Sequence, residues 1–473
     1  MKNRQPNVVL VNIDECKASV IGCYGNKEAY TPNIDRIAEG GVTFTNSFTT
    51  FPKCVPSRCA MITGRYPHVE GHRTLPGFQI TRGENNIILE LKKRGYTTAM
   101  FGHNHLLEED LLDEYFDCRT RVWRGKRDDG FAEDPNLYRA FYRENLYSME
   151  DLHDFYHTQD ACDFIDAHGE EPFFLLVNIG VPHPTYKNIR EYIDTIRARN
   201  VKVPPREDLE RAPEVLKAYR RVYDLEMLRE EDWKKIIEAY YSMVSFADYC
   251  VGKIHQKIEE KGLASNTVFI FTSDHGDFAG EHGCVEKWDT MFYDCLIKVP
   301  LIIQYPPRLK AGLKVDALVE NVDLVPTMME LCGLEVPSWV QGKSLVGVME
   351  GRDPVHKEAV FCEGGVEPSA IEKALPYTDE HYKRNPHYYK QRVMIDYPWT
   401  MARAKMVRTK KWKLIFRVNG MKELYDLEKD PLELCNVADK PENKEILYEL
   451  TEKLLVWAIE TETDYPPVKI MHA

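Results

Sequence analysis

Two acidic positions stand far apart in the chain: Asp14-Glu15 near the start, and Asp274 followed directly by His275. Together they offer carboxylate oxygens and one imidazole nitrogen, a donor set that favours a divalent cation such as Ca²⁺. Taken singly, each acidic group reads equally well as a helix cap or a solvated loop. Cys54-Val55-Pro56-Ser57-Arg58 brings a thiol and a guanidinium together. Pro56 suits the first turn of a helix running through Met61 to Thr63 and closing at Gly64, which sets Cys54 at a helix N-terminus. Free amides and the positive dipole end favour an anion there, and the planar Arg58 group suits a tetrahedral oxyanion. A lone cysteine is otherwise an inert buried thiol.

These groups need elements to bring them together. Val8 to Ile13 reads as a strand buried on both faces that runs straight into Asp14. Tyr96 to Phe101 precedes His103 and His105, Phe173 to Ile179 precedes His183, and Val268 to Phe271 precedes Asp274. Ligands of open parallel sheets sit beyond the carboxyl ends of the strands, so all four places can converge on one site. Thr31-Pro32 starts a helix with Thr31 as cap, and Ile87, Ile88 and Leu91 at helical spacing mark another. Ile237 to Ile258 forms a long amphipathic helix ending at Gly262. Strands alternating with helices over residues 1–350 imply an α/β domain, a mostly parallel sheet between helices. From about 351 to 473 the pattern changes to antiparallel strands around Asn419-Gly420, then a helix with Leu450 and Leu454, a smaller α+β unit expected to complete the substrate pocket. The stretch from about Leu106 to Gly169 has no clear period and reads as loops and helices.

The chain has 473 residues, 43% hydrophobic and 29% charged, with a net charge of −13. That is a globular composition, and the acidic balance argues against nonspecific nucleic-acid binding as a main activity. An anionic substrate then needs local positive charge. The longest apolar runs fall far short of the roughly 20 residues of a membrane helix. Val8 to Ile13 is also too brief for a signal-peptide core, so the expectation is a cytoplasmic protein of a bacterial cell with no membrane partner. Twelve cysteines without paired C-x-x-C spacing suggest buried thiols rather than a disulfide scaffold.

Cys54-Val55-Pro56-Ser57-Arg58 with Thr63-Gly64-Arg65 resembles the signature C-x-P-S-R followed by T-G-R of the type I sulfatases, within the alkaline-phosphatase-like superfamily. Pro182-His183, Ser273-Asp274-His275-Gly276, Gly280-Glu281-His282-Gly283 before Lys287, and Val322 to Thr327 follow in the family's order. The resemblance implies an alkaline-phosphatase-like fold and hydrolysis of organic sulfate esters through a covalent sulfo-enzyme intermediate. It implies that Cys54 is oxidised by a maturation enzyme to formylglycine, whose hydrate supplies the nucleophilic oxygen. Asp14, Asp274 and His275 match metal ligands, with Glu15 where Asp is common and the Cys54-derived residue as a further ligand; Ca²⁺ is the expected ion, with Mn²⁺ or another divalent ion as the alternative. Arg58 holds the nucleophile, Lys287 and His183 match sulfate-binding residues, His183 serves as general acid, and His105 serves as base. His103 stands where the family usually has lysine, which makes it a substrate-binding candidate whose charge depends on pH.

A phosphonate or phosphate ester hydrolase of the same superfamily is the alternative reading, and a noncatalytic sulfate-ester binding protein with an unmodified Cys54 is the third. The organic portion of the substrate is left open among small sulfated sugars, aryl sulfates, steroid sulfates and choline sulfate. Tyr377, Tyr382, Arg384, Tyr388, Tyr389 and Lys390 could line the mouth of the pocket or form a solvated loop.

Overall fold

Strand β1 (Asn7–Ile13) is central because its alternating side chains feed two different cores: Val9, Val11 and Ile13 enter one, Val8 and Leu10 the other. The same split divides Phe269 and Phe271 from Val268 and Ile270 on a neighbouring strand. A strand buried on both faces has no polar side to show, so it reads as a continuous apolar run. The computed structural model describes residues 5–73, 79–126, 134–366 and 387–462.

The other strands, in chain order, are β2 (Val42–Phe48), β3 (Thr97–Gly102), β4 (Cys118–Arg119), β5 (Tyr142–Tyr147), β6 (Phe173–Ile179), β7 (Tyr186–Ile189), β8 (Thr267–Ser273), β9 (Leu301–Gln304), β10 (Leu313–Glu320), β11 (Val360–Gly364), β12 (Ala404–Arg408), β13 (Trp412–Arg417) and β14 (Lys422–Asp426). Eight of them form one sheet in the order β10-β2-β9-β8-β1-β6-β3-β4. All its pairings are parallel except those of β9, which runs against both β2 and β8. The fold is thus alkaline-phosphatase-like, as the sequence suggests, with one reversed strand inside the sheet. The long helix Glu230–Glu260 packs Ile236, Tyr240, Val244 and Val251 on one face. Helices Cys54–Thr63 and Leu324–Leu331 cover the other. Among the described residues, no helix is long and apolar enough to cross a membrane.

One expected detail is corrected. Thr31 does not cap the helix Pro32–Gly40 with its side chain. Its Oγ1 accepts from the amide of Gly22 at 2.9 Å instead, and the first-turn amides of Asn33 and Ile34 donate to Asp248 of the long helix at 3.2 and 2.7 Å. A buried carboxylate that takes two amides satisfies more donors than a hydroxyl can.

The C-terminal strands form a second, antiparallel sheet in the order β11-β12-β13-β14. Its inner face carries Val407, Leu414 and Leu424 against Leu450, Leu454 and Trp457 of the last helix, and the same cluster takes in Ala60 and Tyr66. Glu363 on β11 ties this sheet back to residues His68 and Arg73 near the start of the chain: one oxygen accepts from the His68 amide and ring nitrogen, both at 2.8 Å, the other from Lys405 at 3.3 Å and Arg73 at 3.4 Å. Burial alone would raise this carboxyl, but the hydrogen bond from His68 and the charges of Lys405 and Arg73 outweigh it and hold it at about 2. A depressed folded-state value stabilises above the unfolded value and is lost as pH falls through the folded one. Glu363→Gln is therefore expected to cost about 3 kcal/mol at pH 7. Its deficit against the wild type should shrink as pH drops from about 4.5 towards 2 in urea titrations at stepped pH. A pH-independent deficit would show that the charge is not what stabilises.

Candidate active site

Each functional group hangs from the carboxyl end of a strand or the start of a helix. β1 delivers Asp14, whose amide donates to Ile179 at the end of β6 (2.8 Å), and Glu15, which sits at φ +69°. A positive φ costs energy for a residue with a Cβ, and such strain is tolerated where the surroundings hold it. Here the Glu15 amide donates to Asp274 Oδ1 at 3.1 Å and its carbonyl accepts from Tyr240 at 2.9 Å. β8 delivers Asp274 and His275. The helix Cys54–Thr63 is pinned at its start by Ser57, whose hydroxyl donates to the Asp274 carbonyl at 2.6 Å while Asn321 donates to it at 3.1 Å. It stops at Gly64 (φ +69°), where a Cβ would meet Val325 Cβ at 2.9 Å, so only glycine fits.

The donor atoms of Asp14, Cys54, Asp274 and His275 lie within 4.8 Å of one another, and all four residues are buried. Cys54 Sγ is 3.2 Å from His275 Nε2 and 3.5 Å from Asp14 Oδ1. His275 Nδ1 lies 2.9 Å from the Gly276 carbonyl, which turns Nε2 towards the thiol. Arg58 spans the two carboxylates, donating from Nε to Asp274 (2.8 Å) and from Nη2 to Asp14 (2.7 Å). Its Nη1, also buried, has no hydrogen-bond partner among the described residues. Burial first, then Asp274 and Cys54, push the Asp14 carboxyl up to about 7 against the pull of Arg58 and Lys287. Carboxylates that repel each other in a dry site are what a divalent cation relieves, so the residues present fit a metal.

Glu15, Lys287 and His183 form the adjoining wall. The Lys287 ammonium is in direct contact with Glu15 Oε2, and His183 Nε2 lies 3.6 Å from the same oxygen. Burial opposes the Lys287 charge, but Glu15, Cys54 and Glu286 outweigh it and hold the ammonium well above its ordinary value. Glu15 Oε1 has no hydrogen-bond partner among the described residues. His183 Nδ1 donates to the Pro184 carbonyl at 2.6 Å. Burial and Lys287 hold its ring well below the ordinary histidine value.

Burial alone would raise the Cys54 thiol, yet Lys287 and His275, with hydrogen bonds from His105 and His275, hold it well below its ordinary value. The site therefore stabilises negative charge at position 54 whatever atom carries it. His105 Nδ1 is 3.9 Å from Asp14 Oδ2 on the half-exposed side of the cluster. Burial lowers the His103 ring to about 3 against the pull of Asp154. It stacks on His105, with ring centroids 5.7 Å apart.

Some residues of this site escape a reading by spacing. Lys53 reaches within 3.4 Å of Asp289, and Lys390 donates to Glu286 at 2.7 Å, so the neighbours of Cys54 and Lys287 in sequence carry their own buried charges. Runs of mixed charge next to landmark residues were the available signal. Tyr388, Tyr389 and Lys390 lie on the helix His387–Asp396, whereas Tyr377, Tyr382 and Arg384 lie outside the described residues.

Comparison with known proteins agrees with this geometry. The family model described as Sulfatase matches residues 6–334, and that described as N-sulphoglucosamine sulphohydrolase, C-terminal matches 280–391 and 369–460. The chain is 27% identical to an N-acetylglucosamine-6-O-sulfatase of Bacteroides thetaiotaomicron, with 96% of this chain and 86% of that protein covered. It is 25% identical to an arylsulfatase of Clostridium perfringens, covering 96% and 95%. Among solved structures, one named as in complex with its substrate D-glucosamine-2-N,6-O-disulfate superposes with TM-score 0.73 at 22% identity, covering 97% of this chain and 98% of that one. The phosphonate monoester hydrolase of Silicibacter pomeroyi shares the fold, with TM-score 0.78 at 20% identity and 97% and 96% coverage. With a family match over most of its length and the family's landmark residues gathered at one buried site, the chain belongs to the type I sulfatases, hydrolases of sulfate esters.

Proposed function

We propose that this sulfatase removes sulfate from a small sulfated sugar, using a formylglycine made from Cys54 and one divalent cation. The observation that carries this reading is the convergence of Asp14, Cys54, Asp274 and His275 with Arg58 in one dry cluster. Asp14, Asp274 and His275 would hold the cation beside position 54, and Glu15 would contribute its unpaired Oε1. Oxygen donors make calcium the first choice, and the imidazole keeps manganese as the alternative. When bound, the cation supplies Lewis acidity and the aldehyde hydrate at position 54 supplies the nucleophilic oxygen.

The chain's own residues do the rest. Arg58 Nη1, a buried donor without a partner, is free to bind an oxygen of the nucleophile or of the sulfate. Lys287 neutralises charge on the sulfate. His183 takes up a proton as the anionic ester enters beside Lys287 and gives it to the leaving oxygen from Nε2, its tautomer fixed by the Pro184 carbonyl. His105 is the base that removes the proton at position 54 when sulfate departs. Lys390, from the C-terminal region, braces Glu286 next to Lys287, so residues 351–473 would complete the pocket around the domain formed by 1–350. Cys54 is 1% exposed, and a maturation enzyme would have to reach it before the chain folds.

The sugar preference rests on the relatives: the N-acetylglucosamine-6-O-sulfatase and the structure holding a disulfated glucosamine both match nearly the whole chain. Initial rates should be compared on 6-O-sulfated glucosamines, an aryl sulfate and an aryl phosphonate monoester, with protein shown by mass spectrometry to carry the aldehyde. We expect the sulfated sugar to be preferred and the phosphonate to be the poorest. A preference for the phosphonate overturns the assignment.

A further inference from the structure

We propose that Trp123 is a platform for a ring in the organic portion of the substrate, so that this one side chain sets which sulfate esters are accepted. The inference rests on the sulfatase reading and adds to it the chemistry of the part that is not sulfate. Trp123 lies just beyond β4, at the same carboxyl edge of the sheet that carries the site. Its indole is stacked on His103, with centroids 4.9 Å apart and planes at 23°. His103 stacks in turn on His105 at 5.7 Å and 21°, and His105 approaches Asp14 at 3.9 Å. Three flat side chains thus form a continuous wall leading outward from the metal-ligand cluster, and Trp123 is its outer end.

The indole is also fixed in place. His153 and His157, both from the helix His153–Ala167, meet it edge to face at 5.1 and 5.0 Å. A large aromatic ring held from several sides would normally be buried, yet 50% of Trp123 is exposed. Asp154 of the same helix accepts the amides of Gly180 (2.7 Å) and Val181 (3.1 Å), which ties the platform to the loop that carries His183. A rigid, half-exposed indole two rings out from the reacting centre presents apolar area where the alcohol portion of the ester must emerge. The neutral His103 between them suits it to ring faces rather than to a second anion. Pyranose and aryl rings share the required chemistry, a flat apolar face whose C–H edges suit the negative face of the indole.

The test uses aldehyde-bearing enzyme and the variants Trp123→Ala and Trp123→Phe on three probes: a 6-O-sulfated glucosamine disaccharide, 4-nitrophenyl sulfate and ring-free ethyl sulfate. For Trp123→Ala we expect kcat/KM to fall about tenfold on at least one ring-bearing probe, mostly through KM, with Trp123→Phe recovering most of it. Ethyl sulfate should change less than about twofold. A drop confined to the disaccharide identifies a sugar platform, and one confined to the nitrophenyl ester an aryl platform. Equal losses on all three probes, or unchanged KM on both ring-bearing ones, overturn the proposal. Should the wild type hydrolyse no sulfate at all, the sulfatase reading fails separately. The platform is then judged by saturation-transfer NMR with the unsulfated disaccharide and 4-nitrophenol: transfer lost in Trp123→Ala supports it, and transfer retained in full refutes it.

Discussion

Replacing Cys54 with alanine abolishes sulfate-ester hydrolysis, with kcat lowered by about 10⁵ or more, the scale seen when a nucleophile is removed from a preassembled site. The fold should survive. The side chain is small, its nearest partners are His275 Nε2 and Asp14 Oδ1, and the helix it begins is held by Ser57 and Asn321 rather than by the thiol. A loss of about 1 kcal/mol is expected in the melting curve, as for other single-atom deletions in a core. The same measurement separates two chemistries at this position. Lys287 and His275 stabilise negative charge on the Cys54 sulfur, and they would do so equally for an oxygen placed there. Intact-protein mass spectrometry of the most active fraction decides between them: activity should follow the aldehyde, not the thiol. Alanine at this position with turnover within tenfold of wild type would place the nucleophile elsewhere.

What the sequence made legible follows from burial. β1, β6 and β8 are buried on both faces, so they read as largely apolar runs, and the polar residues that end them mark the edge of the sheet where chemistry sits. The helix that carries Cys54 was equally plain, because Pro56 and Gly64 punctuate it at both ends. The helix His153–Ala167 was not legible: its buried positions include Asp154, His157 and Thr158, so polarity occupies the face where periodicity expects apolar residues. The three apolar residues Leu301, Ile302 and Ile303 pair equally well in either direction, and nothing local says that β9 runs backwards. The cap from Asp248 to Asn33 and Ile34 spans more than two hundred residues of chain, beyond any spacing rule.

The candidate site divides along the same line. Residue types and their order along the chain mark Asp14, Cys54, Arg58, Asp274 and His275 as a cluster, since each follows a strand or opens a helix. Pair partners are set by side-chain direction instead. Glu15 is one residue from Asp14 yet turns through its positive φ to meet Lys287, and His103 is two residues from His105 yet ends as a neutral stacked ring.

The contact between Glu15 and Lys287 yields the second large effect. Both side chains are almost fully buried, with exposures of 0% and 2%. Burial already pushes the Glu15 carboxyl well above its ordinary value against the pull of Lys287, so removing the ammonium by Lys287→Met forces that buried group either to stay charged without a partner or to take up a proton, at a cost of up to about 3–5 kcal/mol of stability. Glu286, 3.5 Å away, suffers less because Lys390 still pairs with it. Sulfate hydrolysis should fall by about 10³ in kcat/KM, because the positive charge facing the developing anion is gone. Stability and catalysis can then be separated by neutralising the partner. The double variant Glu15→Gln/Lys287→Met should recover most of the lost melting temperature, since a neutral buried pair avoids the stranded charge, and none of the lost activity. Glu15→Gln alone tests the other oxygen: if Oε1 helps to hold the cation, metal affinity should weaken about 10–100-fold, read by titration with calcium and with manganese. An unchanged melting temperature in Lys287→Met would mean that Glu15 takes up a proton instead of holding an ion pair. Recovered turnover in the double variant would mean that the sulfate does not need the Lys287 charge, and the assignment of that residue would have to be withdrawn.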